Sequence, residues 1–317
     1  MLYSGYSAAF GDSVGGDLTF TQMLGMEIGA NLRIEEYVVP GTIDRAVNLV
    51  MTGEPKIPLR THDGLFFLQN VPITTGFRCD EGATFRLQKR AQDLDADGAG
   101  TLGAFMSTEA HAKVTSTGGF LCPLSISVSQ GQLATFAMEY YAWWTGDRSV
   151  LPLVAAFSQA LANAPSFNSA YTLGPVKLTG GSPAIIPGVV GWEFQTGLQI
   201  VPHWSEGLAF PDFCTLQMRK PRIVLRFETP EPVAQIGNMF KAALGNTITM
   251  YLRRKSNTEG HGNVADATTS HASIAVATGS WLPEQVSVNE HDSASLTIPI
   301  LPTGVVTKSY ATAIPTS

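Results

Sequence analysis

The sequence predicts a mainly β protein built from two tandem copies of one β-sandwich domain. Three observations lead to this prediction: a length of 317 residues, an internal repeat, and a period-two alternation of apolar and polar residues within the repeated segments. We expect a first domain over residues 1–146 and a second over residues 169–317. Residues 147–168 are predicted to contain a linker helix, and a further helix is expected to flank the sandwich.

The repeat is clearest between residues 25–60 and 191–226, which align without a gap at an offset of 166 residues. Further matches follow after small shifts, such as His111–Val114 on His271–Ile274. The order is collinear over more than 100 residues, which indicates a duplication. The nine identical pairs in the ungapped window are Gly25/Gly191, Glu27/Glu193, Leu32/Leu198, Ile34/Ile200, Gly41/Gly207, Pro55/Pro221, Ile57/Ile223, Leu59/Leu225 and Arg60/Arg226.

Alternation within these segments is typical of half-buried strands, since successive side chains of a strand point to opposite faces. Clusters of Gly, Pro, Asn and Asp separate the alternating segments, as turns require. In the first copy Met26, Ile28, Ala30, Leu32 and Ile34 alternate with polar residues, and in the second copy Trp192, Phe194, Leu198 and Ile200 do so.

Two segments have helical spacing instead. Apolar residues recur every three or four positions between Glu231 and Leu244, after a possible N-cap at Thr229, so a helix is predicted over 231–244. A similar stripe predicts the linker helix over 149–161. The first-copy counterpart of the 231–244 helix contains Pro72, which shortens any helix there.

Composition excludes several classes of function. Charged residues make up 15% of the chain, against about 25% in ordinary soluble domains, so we expect self-association to cover surface. The net charge of −6 disfavours a phosphate-binding role. Cys79, Cys122 and Cys214 have neither disulfide-framework nor zinc-site spacing. Without a secretory n-region or an apolar run of about 20 residues, we expect a cytoplasmic protein that does not contact membranes.

Ser13 lies in the only motif suggestive of an enzyme. Residues 11–15 match G-x-S-x-G and are similar to the first block of GDSL-type esterases. Neither the Asp-x-x-His nor the Gly-x-Asn-Asp of that family is present, and no clear helix start follows the serine. We therefore predict no catalytic residue, and an esterase that uses Ser13 stays the least favoured alternative.

Two further motifs lack their structural context. Residues 98–103 match G-x-G-x-x-G but follow an acidic loop rather than a hydrophobic strand. Asp93, Asp95 and Asp97 alternate as in a calcium loop, but the twelfth position is Ala104 instead of a bidentate glutamate. We predict no metal site and no cofactor, and leave open whether the acidic loop binds calcium.

The order of segments resembles the tail tube (major tail) proteins of long-tailed bacteriophages. The features that carry the resemblance are Leu173–Val176, the strand Gly191–Ile200, the strand pair around Pro221–Glu228, the 231–244 helix, Thr249–Arg253, and the strand at His271–Ile274 with the hairpin that ends at Ile300.

The resemblance implies a specific assembly. Tube domains of this family pack two antiparallel sheets with a flanking helix, and one sheet joins those of its neighbours into a barrel around a channel. Members with two fused domains form trimeric rings with pseudo-sixfold symmetry, and the duplication points to that kind. Stacked rings would form the tail of the virion, assembled in the bacterial cytoplasm. The implied partners are further copies of the chain, other tail proteins at the tube ends, and the tape-measure protein and DNA passing through the lumen without sequence-specific binding.

Glu27, Glu35 and Glu193 are candidate lumen-facing residues, because an acidic wall would repel DNA phosphates. Outer solvated faces explain these three residues equally well. Two other classes of protein stay open: another viral structural protein such as a duplicated β-barrel capsid protein, and a duplicated carbohydrate-binding module. The second would use the aromatic cluster at Tyr140, Tyr141, Trp143 and Trp144.

Overall fold

A computed structural model shows a mainly β protein, which confirms the predicted fold class. Over the residues it describes, the chain forms 25 strands and one helix, and every paired strand is antiparallel. The described residues are 3–11, 18–21, 23–29, 31–38, 45–89, 111–145, 151–159, 170–179, 185–205, 207–228, 242–244, 247–255, 262–281, 285–287 and 295–315.

The first half of the chain contains twelve strands and a short helix. In chain order they are β1 (Tyr3–Gly11), β2 (Leu18–Phe20), β3 (Gly25–Met26), β4 (Leu32–Val38), β5 (Arg45–Gly53), β6 (Lys56–Thr61), α1 (Gly64–Asn70), β7 (Phe77–Cys79), β8 (Gly82–Lys89), β9 (His111–Ser116), β10 (Gly118–Ser129), β11 (Thr135–Trp143) and β12 (Leu153–Gln159).

The second half contains the other thirteen strands. They are β13 (Tyr171–Leu178), β14 (Ile185–Ile186), β15 (Val189–Gln195), β16 (Leu198–His203), β17 (Phe213–Arg219), β18 (Arg222–Phe227), β19 (Ala242–Leu244), β20 (Ile248–Arg254), β21 (His271–Val276), β22 (Gly279–Trp281), β23 (Gln285–Ser287), β24 (Ser295–Pro302) and β25 (Val306–Thr312).

Two five-stranded sheets and one large sheet hold most of these strands. The five-stranded sheets have the orders β12-β9-β8-β1-β2 and β25-β21-β20-β13-β14. The 11-stranded sheet has the order β19-β22-β24-β18-β15-β10-β11-β6-β3, with β7 also paired to β10 and β23 to β24. Two hairpins, β4–β5 and β16–β17, form separate two-stranded sheets.

Backbone pairings recur at positions 166 residues apart. Gly25 pairs with Arg60 and Met26 with Leu59 between β3 and β6. The corresponding residues of β15 and β18 pair in the same register, Gly191 with Arg226 and Trp192 with Leu225. An isolated bridge between Gly29 and Lys56 likewise has its counterpart in the pairing of Gln195 with Arg222.

The core lies between the large sheet and the two five-stranded sheets, whose buried residues belong to one hydrophobic cluster. Tyr140 of β11 is fully buried, and its ring centroid lies 5.6 Å from that of Phe10 on β1 and 5.3 Å from that of Phe85 on β8. Its hydroxyl is 2.5 Å from Ser116 Oγ of β9, so a buried polar atom is satisfied between the sheets.

The prediction of a linker helix over 149–161 is wrong in the part of that segment that the structure describes. Residues 153–159 form β12, which pairs with β9 at the edge of the first five-stranded sheet. The apolar stripe does not mark a buried helix face, because Val154 is 42% exposed and Phe157 65% exposed. Bonding to an open sheet edge decides the conformation here, a tertiary effect that overrides local spacing.

The helix predicted over 231–244 falls mainly on residues outside those described. Its last three residues, Ala242–Leu244, are described and form strand β19, which pairs with β22. Its counterpart α1 ends at Asn70, two residues before Pro72, in agreement with the expected shortening. Asp63 caps the N-terminus of α1, since its side chain accepts a hydrogen bond from Phe66 N.

Candidate functional site

One face of the large sheet is polar and open to solvent. Along β10, buried Ile126 and Val128 alternate with partly exposed Ser125 and Ser127, and the same alternation continues on the neighbouring strands. The apolar residues point to the core, so the polar residues share the opposite face. On that face lie Lys56, Pro58 and Arg60 of β6, Thr135, Ala137, Glu139 and Tyr141 of β11, Glu193 and Gln195 of β15, and Arg222, Val224 and Arg226 of β18.

A shallow cavity of about 370 Å³ lies on this face where the two halves of the chain meet. Glu193 Oε2 is 3.6 Å from Arg226 Nη2, and Gln195 Nε2 donates a hydrogen bond of 2.9 Å to Glu193 Oε1. Arg60 and the β10 serines line the other side. The cavity has polar walls and carries both signs of charge, so it lacks the apolar lining usual for small-molecule sites.

The charge of the polar face is mixed rather than acidic. Lys56, Arg60, Arg222 and Arg226 oppose Glu139 and Glu193 on the strands just described. Lys56 Nζ is 2.6 Å from Glu54 Oε2, and Arg226 is paired with Glu193, so each of these two cations has a carboxylate beside it. The described part of this face is therefore not acidic, and an acidic lumen wall stays a prediction.

Two of the three predicted lumen-facing glutamates have described side chains, Glu27 and Glu193, and these two are not brought together. Glu193 lies on the polar face of β15, and Glu27 is exposed just after β3, at the position 166 residues earlier. Glu35 lies on β4, in the separate β4–β5 hairpin, and its side chain is outside the described ones. Which surface lines a lumen stays a prediction for all three residues.

The two halves of the chain are joined by a ladder between β10 and β15. Ser125, Ser127 and Ser129 pair with Gln195, Glu193 and Gly191, and Ile126 and Val128 pair with Phe194 and Trp192. Backbone bonds extend the ladder at both ends, from Thr196 N to Leu124 O (2.9 Å) and from Gln130 N to Val190 O (2.8 Å). The joint makes one continuous sheet out of strands from both halves.

Hairpin β16–β17 lies beside this joint and contacts β10 and β11 of the first half. Trp144, just after β11, packs edge-on against Phe210 at 5.2 Å, and its backbone N–H donates to Pro211 O. Phe213, Leu216 and Met218 of β17 are all more than a third exposed. An apolar surface therefore stays open on this hairpin in the single chain.

The residues considered from the sequence as chemical sites lie outside the described residues or are buried. Ser13, the acidic loop at 93–98 and the glycines at 98–103 all lie outside the described residues. His271 is fully buried, where Nδ1 accepts from Arg254 N and Nε2 is 3.0 Å from Ala265 O, so both ring nitrogens have backbone partners. Its counterpart His111 is also fully buried.

The aromatic cluster does not form a binding platform. Tyr140 is fully buried and Trp143 is 5% exposed, while Lys56 Nζ lies 5.2 Å above the ring of half-buried Tyr141.

The cysteines do not offer a reactive thiolate. Burial raises the pKa of Cys122 and of Cys214 to about 12, so these thiols are protonated at neutral pH. Within the described ranges no group of three or more His, Cys, Asp or Glu side chains is placed to hold a metal ion.

Sequence reasoning missed the β10–β15 joint, although one signal pointed to it. Gly191 sits against β10 so closely that an added Cβ would lie 2.9 Å from Val128 O. Gly191 is also one of the residues repeated between the copies, as Gly25. A glycine within a strand often marks close approach of another backbone.

Comparison with family models finds no match, and comparison with curated proteins finds none. No helix in the described part of the chain is long and apolar enough to cross a membrane.

Proposed function

We propose that the chain is a structural virion protein that assembles as stacked rings into the tail tube of a long-tailed bacteriophage, a conduit for DNA ejection. Three chains would form each ring with pseudo-sixfold symmetry, because each chain supplies two similar domains. The observation that carries the proposal is the continuous 11-stranded sheet, which spans both halves and ends in β3 on one side and in β19 and β23 on the other.

Duplication is the first support. Each half contributes a five-stranded sheet with corresponding strand order, and each contributes a hairpin, β4–β5 or β16–β17, at corresponding positions. The register of β3 on β6 matches that of β15 on β18. We infer that each half is a two-layer β-sandwich in which the large sheet packs against one five-stranded sheet.

The polar face of the large sheet is the second support. A wall of a water-filled conduit must be polar, whereas its opposite face must be buried in the sandwich core. Carboxylates lie beside Lys56 and Arg226 on this face, which weakens the attraction of these two cations for DNA phosphates. Passage of DNA and of a tape-measure protein requires such weak, sequence-independent contacts.

Negative-stain electron microscopy of the purified chain tests the proposal. We expect hollow tubes or short stacks of rings, with three chains per ring from mass measurement. Closed shells would favour the duplicated capsid protein instead, and a chain that stays monomeric at high concentration would contradict both. The joint between the halves favours the tube over the capsid alternative, because two separate barrels would not share one backbone ladder.

An assay with a short-chain ester tests the remaining alternative. We expect no turnover above that of a Ser13→Ala variant, since no histidine lies in the Asp-x-x-His spacing of the esterases that the motif resembles. Turnover abolished by Ser13→Ala would overturn the structural function.

A further inference from the structure

We propose that the β10–β15 joint is repeated between chains: residues 27–29, which directly follow β3, pair antiparallel with β23 of the next chain, and we call this contact the β3–β23 joint. The partner is thus a second copy of this chain, and the proposal rests on the proposed function for the expectation that the series of contacts closes into a ring. The register follows from the intrachain joint: Ile28 opposite Val286, Glu27 opposite Ser287, and Gly29 opposite Gln285.

The first edge is that of β3. Strands β3 and β15 hold the same place in the two halves, since each pairs on one side with the strand that follows the hairpin. The other side of β15 pairs with β10. On the other side of β3 no strand is paired anywhere in the described part of the chain.

The second edge is that of β23. Gln285 and Val286 pair with Thr297 and Leu296 of β24, and the residues 160 positions earlier, Ser125 and Ile126, pair in the same register with Ala137 and Phe136 of β11. That segment of β10 also carries β15 on its outer side. The corresponding side of β23 has no partner strand among the described residues.

Glycine usage supports a missing neighbour at β3. At Gly191 an added Cβ would come within 2.9 Å of Val128 O of the adjacent strand, so the joint itself requires glycine. At Gly25, the repeated position, an added Cβ would meet nothing within 4 Å. Within one chain the second glycine has no steric reason, whereas the backbone of a neighbouring chain beside Gly25 would supply one.

Residues of β15 are also more deeply buried than their counterparts at β3. Trp192 and Phe194 of β15 are buried, while Met26 and Ile28, their counterparts, are only partly buried. The contrast is sharper at the start of the hairpins, where Leu198 is 9% exposed and Leu32 is 44% exposed. An adjoining chain that covers β3 and the base of β4–β5 would equalise these exposures.

The geometry of the contact also determines the kind of assembly. The two paired edges are different surfaces of the chain, so the contact is heterologous, and such contacts continue until a ring closes or a filament grows. Closure would pair the outer edges of β3 and β23, which removes a site for uncontrolled strand addition at these two strands.

Disulfide cross-linking tests the register. Cysteines at Glu27 and Ser287 in one chain should link neighbouring chains when the assembly is oxidised with copper phenanthroline, because directly opposed residues have the Cβ separation that a disulfide needs. Cys214 is replaced by alanine in every variant, since Cys79 and Cys122 are buried whereas Cys214 is partly exposed. We expect covalent dimers and trimers, at two and three times the mass of the chain.

Two controls use the same chemistry. The intrachain pair Ser127→Cys with Glu193→Cys occupies the corresponding positions and should form its disulfide within a single chain, without covalent dimers or trimers. The pair Glu27→Cys with Gln285→Cys is displaced by two residues and should link much less.

The outcomes separate this inference from the proposed function. Tubes in which the intrachain pair closes but the Glu27/Ser287 pair gives only monomers would overturn the β3–β23 joint and leave the tube intact. Efficient cross-links in an assembly that is not tubular would support the joint and count against the tail tube. Equal linking by the displaced pair, or a chain that never associates, would overturn the joint.

Discussion

At the residue scale, backbone conformation matches between the halves even where the residue type differs. Asn31 has a φ of +44° and is the single non-glycine with positive φ in the described chain, while Gly197, 166 positions later, has a φ of +63°. Asn31 Nδ2 donates to Glu54 O, and Lys220 N, at the position that corresponds to Glu54, donates to Gly197 O. Asparagine and glycine are the residues that tolerate this left-handed conformation.

The turn at Gly197 should tolerate no side chain. An added Cβ would overlap the carbonyl of Lys220, whereas at Gly207, with a φ of +72°, it would meet nothing within 4 Å. We expect Gly207→Ala to cost about 1–2 kcal/mol of unfolding free energy from the conformation alone, and Gly197→Ala to cost clearly more. Urea denaturation of the two variants measures the difference, and equal losses would show that the turn simply moves aside.

Asp63 should make stability depend on pH. Burial raises the pKa of its carboxyl, although the hydrogen bond from Phe66 N acts in the opposite direction. Its stabilising contribution is therefore complete below the unfolded pKa of 3.8 and is lost as the pH rises through the folded pKa. Asp63→Asn keeps a capping oxygen without a charge, so its stability relative to the wild type should increase between pH 3.5 and pH 7.

The matched variant Asp63→Ala removes the cap itself. We expect it to lose about 1 kcal/mol relative to Asp63→Asn at either pH. Urea denaturation at the two pH values measures both effects. A gain for Asp63→Asn that does not change with pH would show that the charge of Asp63 carries no penalty in the folded protein.

At the element scale, β12 shows how a sheet edge determines conformation. Leu153–Ala156 pair with Ser116–Lys113 of β9, and Thr115 Oγ1 also donates to Val154 O. Because β12 has one neighbouring strand among the described residues, only its alternate amides donate to the sheet. Amide hydrogen exchange followed by NMR should therefore show alternating protection over 153–156. Protection of consecutive amides would instead indicate the helix that apolar spacing predicts.

Alanine substitutions at the corresponding residues Phe194 and Ile28 should differ in their cost in unfolding free energy, because a neighbouring strand lies beside Phe194 within the chain. Phe194 on β15 is fully buried beside β10, so Phe194→Ala should cost about 3–5 kcal/mol of unfolding free energy in the isolated chain. Ile28 at the corresponding position is only partly buried, and Ile28→Ala should cost about 1–2 kcal/mol there.

Ile28→Ala should weaken assembly more than it destabilises the isolated chain. If a neighbouring chain covers β3, Ile28→Ala should raise the concentration needed for assembly even though the isolated variant stays folded. Sedimentation across a concentration series, with circular dichroism of the monomer as the control for folding, measures this shift. Assembly at the wild-type concentration would mean that β3 is not covered.

At the scale of the whole molecule, the charges of the polar face should be dispensable for assembly. Glu193→Gln removes one partner of a 3.6 Å ion pair whose arginine is about half exposed, and exposed pairs contribute at most about 1 kcal/mol. We expect Glu193→Gln to form the same assemblies as the wild type in electron micrographs. Loss of assembly would place Glu193 at a contact between chains rather than on a solvent-filled face.

Much of the architecture was predictable from the chain alone, because hydrophobic alternation reports directly on one-sided burial. The segments around Gly25–Arg60 and Gly191–Arg226 were identified with their common offset, and they form strands in that offset, with turns between them. The shortened helix at Pro72 was also foreseen, since proline acts locally on the backbone. These are features that neighbouring residues determine.

Only the tertiary structure decided what pairs with what across the chain. The stripe at 149–161 has the same apolar spacing whether it forms a helix or an edge strand, and an open edge on β9 selects the strand. Likewise, alternation assigns Glu193 to a polar face, but the serines of β10 lie opposite β15 only because the two halves meet there. The sequence by itself therefore determined the class, the duplication hypothesis and the faces of strands, which depend on local periodicity. The joint, the open edges and the charge of the polar face depend on contacts between distant segments, and local pattern carries no information about them.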